Sequence, residues 1–362
     1  MDPKNAGVEE YSNNVIVYRC INIISQAVSH VPWIIYDNKK SYKIGGNSHP
    51  LVNLLKRPNL MQSGAEFFAS LIASKLLFGN SYIACSCKNS IINSLHLLPA
   101  SNVELKFKDG LVSHYSYKNA GKETNFYINQ QNQKGQILHI KTYNPYSPYI
   151  GMSPLKAATK AINLHNITSE WNSNLLKNGA RPTGALVMKD SGQYLSEEQF
   201  LRLQEQLYDK FSGASNAGRP LLLEGGLDWK DISINPKDMD YLEAKNMSAR
   251  EIALAFGLPP QLLGISGDNT YSNMQEARLA LWEETIIPML DNLSDSMSCW
   301  FSQLTNREIT IDFDRDNISA LTEKRQVLWE KISRAEFMTI NEKRQLVGLS
   351  PITGGEKIHY EE

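Results

Sequence analysis

The residues best spaced for chemistry are acidic. Asp312, Asp314 and Asp316 alternate, and Glu323 follows at the twelfth place counted from Asp312. This is the carboxylate spacing of a calcium-binding EF-hand loop that ends in a bidentate acid. Two features oppose calcium. The sixth place is Asn317, where the sharp turn needs Gly, and the alternating Ile309, Ile311 and Phe313 read as a strand where an EF-hand needs a helix. The pattern favours a strand end whose acids face water. Thiols are the next candidates. Among the four cysteines, Cys20, Cys85, Cys87 and Cys299, only Cys85 and Cys87 are neighbours. Their spacing suits neither zinc nor a redox pair, and on a strand they share one face. They read as small buried residues in a reducing compartment.

Other catalytic patterns are missing from the chain. There is no glycine-rich phosphate loop followed by Lys, no Gly-x-Ser-x-Gly elbow and no His-Glu-x-x-His pair. Gly264-Ile-Ser-Gly267 is too short for the elbow. The seven His are scattered, with His49 and His139 expected to be structural. Glu197-Glu198 and Glu283-Glu284 read as solvated helix faces. No metal, cofactor or enzymatic activity is expected. The net charge of −1 offers no global field for nucleic acid. Lys39-Lys40, Lys106 with Lys108, Lys177 with Arg181, Lys324-Arg325 and Lys343-Arg344 are small, dispersed clusters, whereas gripping DNA needs several phosphate-contacting cations together. The apolar run Leu71 to Phe78 is broken by Ser74 and Lys75, far short of the ~18 apolar residues of a membrane span. Met-Asp-Pro-Lys-Asn does not read as a signal peptide.

The elements that must position any site are legible in outline. The chain, 362 residues and 42% hydrophobic, can bury a sizeable core and divide into two or three domains. Val15, Tyr18, Ile21, Ile24 (or Ile23) and Val28 form a helical stripe that ends before Val31-Pro32. Trp33 to Tyr36 is a short strand and Leu51 to Leu55 a short helix. Ser63 and Glu66 make a capping box for a largely apolar, buried helix that Gly79-Asn80 stops. Ser81–Cys87, Leu95–Leu98, Val103–Phe107, Tyr115–Tyr117 and Gln136–Ile140 read as antiparallel strands. Ser153-Pro154 starts a helix to about Lys177, ~35 Å at 1.5 Å per residue. Its stripe of Leu155, Ala158, Ile162, Trp171 and Leu175 is thin, as for a spacer packed on one side. Between 181 and 240 lies a small lobe: strands at Gly184–Met188, Leu221–Leu223 and Trp229–Ile234, a helix capped by Ser196 and Gln199, and a flexible turn at Ser212–Gly218.

One stretch organises the rest. Ile252, Ala255 and Phe256 close a helix; Gly257 and Pro259-Pro260 stop it. Ser266 to Tyr271 has turn composition and a single charge, Asp268. Ser272 and Gln275 then form a capping box for a helix that starts at Asn273 and carries Trp282, Ile286, Met289, Leu293, Met297, Trp300 (or Phe301) and Leu304, with a kink at Pro288. The Ile309 strand, a helix over Thr322–Phe337 with Val327, Leu328 and Ile332 as its apolar side, and a short helix capped by Thr339 and Glu342 complete the chain.

These residues carry a resemblance. Ile252-Ala-x-Ala-Phe-Gly-Leu-Pro-Pro-x-Leu-Leu-Gly264 followed by Thr270-Tyr-Ser-Asn273 is similar to the portal proteins of tailed bacteriophages. The likeness extends over most of the chain: Tyr18-Arg-Cys-Ile21, Pro32-Trp33, His49-Pro-Leu51, Pro58-Asn59, Gly79-Asn-Ser-Tyr82, Leu138-His-Ile140, Gly151-Met-Ser-Pro-Leu155, Asn178-Gly-Ala-Arg-Pro-x-Gly184, Thr285-Ile-Ile-Pro288, Asn341-Glu-Lys-Arg344 and Gly348-Leu-x-Pro351 with Gly354-Gly355.

The resemblance implies an α+β portal fold of the siphophage type. Residues 1–150 would be the α+β wing, 151–180 the first stem helix, 181–240 a small α/β clip, and 241–264 the second stem helix. Residues 265–273 would be the tunnel loop, 274–320 a long kinked helix with a wing strand, and 321–362 a short helical crown. It implies a homo-oligomeric ring of about a dozen copies, a dodecamer by symmetry, closed by head-to-tail contacts. The ring would be a DNA channel at one capsid vertex of the virion, assembled in the bacterial host cytoplasm, for genome packaging, head–tail attachment and DNA ejection. Implied partners are double-stranded DNA held without sequence preference, the terminase large subunit, a head–tail adaptor, and the major capsid or scaffold protein, with no membrane. Ser266, Gly267, Asp268, Asn269, Thr270, Tyr271, Ser272 and Asn273 would face DNA, with Gly257, Pro259, Pro260 and Gly264 setting the loop. A loop poor in cations suits sliding DNA, since phosphate attraction would brake it. The first core helix comes early and the crown is short compared with family members, which is expected to weaken ring closure or scaffold contacts, as in a prophage remnant. The competing readings are a non-ring head–tail adaptor and a nucleic-acid hydrolase.

Overall fold

The structure is a computed structural model that describes residues 6–37, 50–88, 91–129, 134–177, 184–188, 196–211, 227–231, 241–265, 271–347, 349 and 351–357. Helices α1 (Ala6–Asn13) and α2 (Val15–Ser29) are separated by Asn14, whose Oδ1 accepts from the N–H groups of Ile16 and Val17 at 3.0 and 3.1 Å. That cap restarts the helix and sets its phase. The buried face is Val17, Cys20, Ile21, Ile24 and Val28, while Val15 and Tyr18 of the expected stripe are exposed. Val15-Ile-Val17 offers two overlapping helical registers, and packing against α4 chooses the second.

Strand β1 (Trp33–Asp37) and α3 (Pro50–Lys56) lead to α4 (Gly64–Phe78). The capping box of α4 is present: Ser63 N–H donates to Glu66 Oε2 at 2.8 Å, and Glu66 N–H donates to Ser63 Oγ at 3.3 Å. Phe67, Phe68, Leu71, Ile72 and Leu76 are buried, as the apolar run requires. Strands β2 (Asn80–Lys88) and β3 (Ile91–Leu98) then form a hairpin. β4 (Val103–Lys108), β5 (Leu111–Asn119), β6 (Lys122–Asn129) and β7 (Lys134–Gly135) form a four-stranded antiparallel sheet. β8 (Ile137–Lys141) returns to β2, giving an antiparallel sheet ordered β3-β2-β8. β6 was not expected, because Lys122 to Asn125 are all polar and Phe126-Tyr-Ile128 do not alternate; its order comes from pairing with β5.

Helix α5 (Pro154–Lys177) is capped by Ser153, whose Oγ accepts from Leu155 N–H at 3.1 Å and donates to Leu76 O at 2.7 Å. β9 (Gly184–Met188) pairs antiparallel with β10 (Leu227–Asp231), and α6 (Glu197–Phe211) lies between them in sequence with its Ser196–Gln199 cap formed. The expected Leu221–Leu223 strand and Ser212–Gly218 turn fall outside the described residues. α7 (Tyr241–Ala255) packs along α5, where Trp171 stacks on Tyr241 with centroids 4.0 Å apart. Among the described residues no helix is long and apolar enough to cross a membrane.

Helix α8 (Tyr271–Ala280) runs through a π-helical turn, Leu281–Ile286, into α9 (Ile287–Thr305). The expected irregularity at Pro288 thus lies just upstream of it. Pro288 has no N–H to give to the carbonyl four residues back, and its ring would strike that carbonyl in a regular helix; the wider turn relieves both. β11 (Ile309–Phe313) pairs antiparallel with β1, Trp33 opposite Phe313 and Ile35 opposite Ile311. Its outer edge is met by α9 through three serines one turn apart. Ile311 N–H donates to Ser298 Oγ (2.8 Å), Ile309 N–H donates to Ser302 Oγ (2.9 Å), and Ser294 Oγ donates to Ile311 O. The main core lies between α2, α4, α5, α7, α9, β1 and β11.

Two expectations near the end of the chain need correction. α10 (Thr322–Ser333) stops four residues before Phe337, and Val327 and Leu328 are exposed, leaving Ile332 as its buried contact. The acids after β11 were expected to face water, but Asp314 is buried. Asp314 Oδ1 accepts from Asp316 N–H at 3.1 Å and its Oδ2 from Asn317 Nδ2 at 2.9 Å, so this carboxylate caps its own turn, and Asp316 pairs with Arg325 at 2.9 Å. α11 (Ile340–Leu346) carries the expected Thr339–Glu342 capping box.

Candidate channel-facing turn

The turn between α7 and α8 is built by backbone punctuation. Gly257 N–H donates to Leu254 O at 3.0 Å and Leu258 N–H donates to Ala253 O at 2.9 Å. This is the Schellman pair, and it requires the left-handed residue that Gly257 supplies at φ 67°. Leu258 is buried and anchors the exit. Thr285, in the π-helical turn, donates its Oγ1 hydrogen to Gly257 O at 2.6 Å, and a Cβ on Gly257 would stand 2.7 Å from that Oγ1. The irregular turn of the later helix therefore locks the end of the earlier one.

Pro259 then turns the chain away, and Pro260 opens a short 3-10 helix, Pro260–Leu263, with Leu262 N–H donating to Pro259 O at 3.1 Å. Gly264 ends it at φ 73°. Gly257, Pro259, Pro260 and Gly264 thus occupy the turn as the sequence predicts. Ser266, Gly267, Asp268, Asn269 and Thr270 lie outside the described residues. Tyr271, Ser272 and Asn273 are not loop: they form the first turn of α8, which begins two residues sooner than a cap at Ser272 would allow. Ser272 is a short polar residue that the helix accommodates in its first turn, where N–H groups need no partner within the helix.

A second constellation, missed in the sequence, joins the sheet to α5. Asn80 donates Nδ2 to Phe78 O (2.8 Å) and Gly151 O (3.2 Å), and its Oδ1 accepts from Gly151 N–H (2.7 Å) and from His139 Nε2 (2.9 Å). Since Oδ1 is an acceptor, Nε2 carries a hydrogen. His139 stacks on Tyr82 with centroids 4.3 Å apart. Burial first, and Lys141 second, lower its pKa to about 3. The sign follows: the unfolded imidazole takes a proton below about 6.5, the folded one does not, so stability is full above that pH and falls toward pH 3. His139→Gln is expected to flatten the loss between pH 6.5 and 4, by at most about 1.4 kcal/mol per pH unit, in urea unfolding curves taken at each pH. In the sequence Gly79-Asn80 reads as a helix stop and as part of a family-like motif; its link to the distant Gly151 has meaning only once β2 and β8 pair.

Among the described residues no group of three or more His, Cys, Asp and Glu side chains could hold a metal ion. Glu283 is paired with Lys324. Cys85 and Cys87 do share a strand face, with sulfurs 3.1 Å apart, and burial raises the Cys85 thiol pKa, so it stays protonated.

The family profile described as phage portal protein matches residues 15–348. The chain belongs to the phage portal protein family. A protein of Rickettsia bellii is 56% identical over 352 residues, covering 97% of this portal-family chain and 91% of the relative. The portal protein of Enterobacteria phage HK97 is 24% identical over 359 residues, 94% of this chain and 80% of the phage protein. Among solved structures, a chain from the neck of a native gene transfer agent particle, computed with C12 symmetry, superposes with a TM-score of 0.73 at 36% identity, covering 97% of this chain and 95% of that one. An HK97-family portal protein from Corynebacterium diphtheriae has the same fold at TM-score 0.60 and 14% identity, covering 87% and 96%. The mixed helix-and-strand portal fold expected from the sequence is the fold observed.

Proposed function

We propose that this chain is the repeating subunit of a portal ring, a structural protein and not an enzyme, through which double-stranded DNA enters and leaves a capsid or capsid-like particle. The observation that carries the proposal is the likeness, over nearly the whole of both chains, to a neck chain of a particle computed with C12 symmetry. About twelve copies would close head to tail. In that ring, α5 and α7 are the stem, the β9–α6–β10 lobe is the clip that meets terminase and later the head–tail adaptor, the N-terminal α+β part is the wing against the capsid, and α10 with α11 is the crown. The turn from Gly257 to Gly264 aims residues 265–270 at the channel.

The exposed apolar side chains on the paired helices support a neighbour on that side: Leu164 and Ile167 on α5, and Leu242, Met247 and Leu254 on α7, are open to solvent in the single chain. Ordinary burial would hide such a set. The test is mass by light scattering across a concentration series, with negative-stain imaging of the same peak. Rings of about a dozen subunits with a central hole are the expected result. A monomer at every concentration would overturn ring closure by this chain and favour a non-ring adaptor.

A further inference from the structure

The loop joining α3 to α4 holds two apolar side chains out in water. Leu60 is 89% exposed and Met61 91%. The backbone beneath them is fixed. Asn59 is buried; its Nδ2 donates to Leu95 O at 3.0 Å and to Gln62 Oε1 at 3.1 Å, while its Oδ1 accepts from Met61 N–H at 2.9 Å. Leu95 N–H donates to Pro58 O at 2.8 Å. The Ser63–Glu66 capping box fixes the far end. A partner meeting this knob would find it already ordered, and the entropy cost of docking is correspondingly small.

The knob's place in the sheet is defined by register. Cys85 N–H donates to Gln136 O at 2.9 Å, toward β8, so the opposite residue Leu95 turns its own N–H and C=O to the free edge of β3, where Pro58 and Asn59 take both. The other edge of the same sheet is β8. There β8 meets α9, and between them opens an apolar groove of about 490 Å³ walled by Ile128, Ile137, Leu138, Cys299 and Trp300. Charge matches as well. Arg57 is exposed beside the knob and Asp295 is exposed at the groove, and neither has an ion-pair partner among the described residues.

We propose that Leu60 and Met61 of one copy seat in the Cys299–Trp300 groove of the next, with Arg57 facing Asp295. The proposal rests on the ring reading above. A head-to-tail ring needs two unlike patches on opposite sides of each subunit, whereas a two-fold dimer pairs one patch with itself. A knob on one edge of a sheet and a groove on the opposite edge meet the first requirement.

The groove supplies its own chemical reporter, because Cys299 is native and exposed. In assembled Met61→Cys protein, mild oxidation or a short bis-maleimide is expected to give a ladder of joined chains whose linked peptides contain positions 61 and 299. The ladder should vanish when Cys299→Ser is added. Leu60→Asp with Met61→Asp is expected to leave the circular dichroism unchanged and lower the yield of rings roughly tenfold or more. Rings that image normally but show no 61–299 link, or that form at full yield with both aspartates, would overturn this contact and leave the ring standing. Absence of rings in the unmodified protein would instead sink the ring reading and this contact with it.

Discussion

Gly151→Ala is expected to lower the unfolding free energy by about 3 kcal/mol or more, near the upper end for overpacking. The position has no room. A Cβ there would lie 2.0 Å from Gly79 O, 2.8 Å from Thr142 N and 2.9 Å from Gly79 C, all of them backbone atoms. Those atoms are tied together, since Thr142 N–H and Oγ1 both donate to Gly79 O at 2.9 and 3.1 Å. Making space means parting the end of α4 from β8, and that also strips Asn80 of two of its bonds to Gly151. Gly110→Ala is the control. Gly110, unlike Gly151, has a positive φ, 79°, but a Cβ there meets nothing within 4 Å, so it should cost only the left-handed penalty of about 1–2 kcal/mol. Urea unfolding midpoints of the two variants, compared at neutral pH, check this. Equal losses would mean that the close approach of the two glycines does not govern the joint.

The second large effect is expected at Ser298. Its hydroxyl accepts from Ile311 N–H at 2.8 Å, and Ile311 is buried. Alanine leaves that N–H with no partner and no water, a cost of about 1–3 kcal/mol for one buried unsatisfied group. Ser294 still serves Ile311 O in the variant, so the carbonyl is not orphaned. Ser296→Ala is the matched comparison: its Oγ donates to Asn292 O within the helix at 2.7 Å and touches no strand. That change should stay within about 0.5 kcal/mol. Thermal midpoints of the two single variants decide between them; similar shifts would show that the serine contacts to β11 contribute nothing beyond helix propensity.

What could be read from the sequence divides by range. The capping boxes at Ser63 and Thr339 were legible because their bonds span three residues and need no other element. The Gly257–Pro260 stop was legible for the same reason, with every partner inside one turn except Thr285. The phase of α2 was not, since Val15 and Val17 are equally apolar and only α4 distinguishes them. Val327 and Leu328 are apolar neighbours on α10, yet about half of each side chain is exposed in the single chain. The serines of α9 looked like ordinary polar residues between Leu290 and Leu304 until β11 was laid beside them. His139 could be called structural from its surroundings in sequence, but its hydrogen-bonding to Asn80 depends on β2 and β8 being neighbours. The strand before the acids was legible in the alternation of Ile309, Ile311 and Phe313, whereas the turn that buries the Asp314 carboxylate was not.

The serine row on α9 has a consequence beyond stability. An outer strand with unmet N–H and C=O groups is a template on which another chain can add a strand. In the ring proposed above, such a template would be present many times over at very high local concentration. Strand addition need not close on itself, so it would build filaments in competition with the ring. By occupying both groups of Ile311 and of Ile309 with hydroxyls from its own helix, each copy withholds that edge from its neighbours. Loss of the serines would then show itself first as misassembly, in copies that still fold.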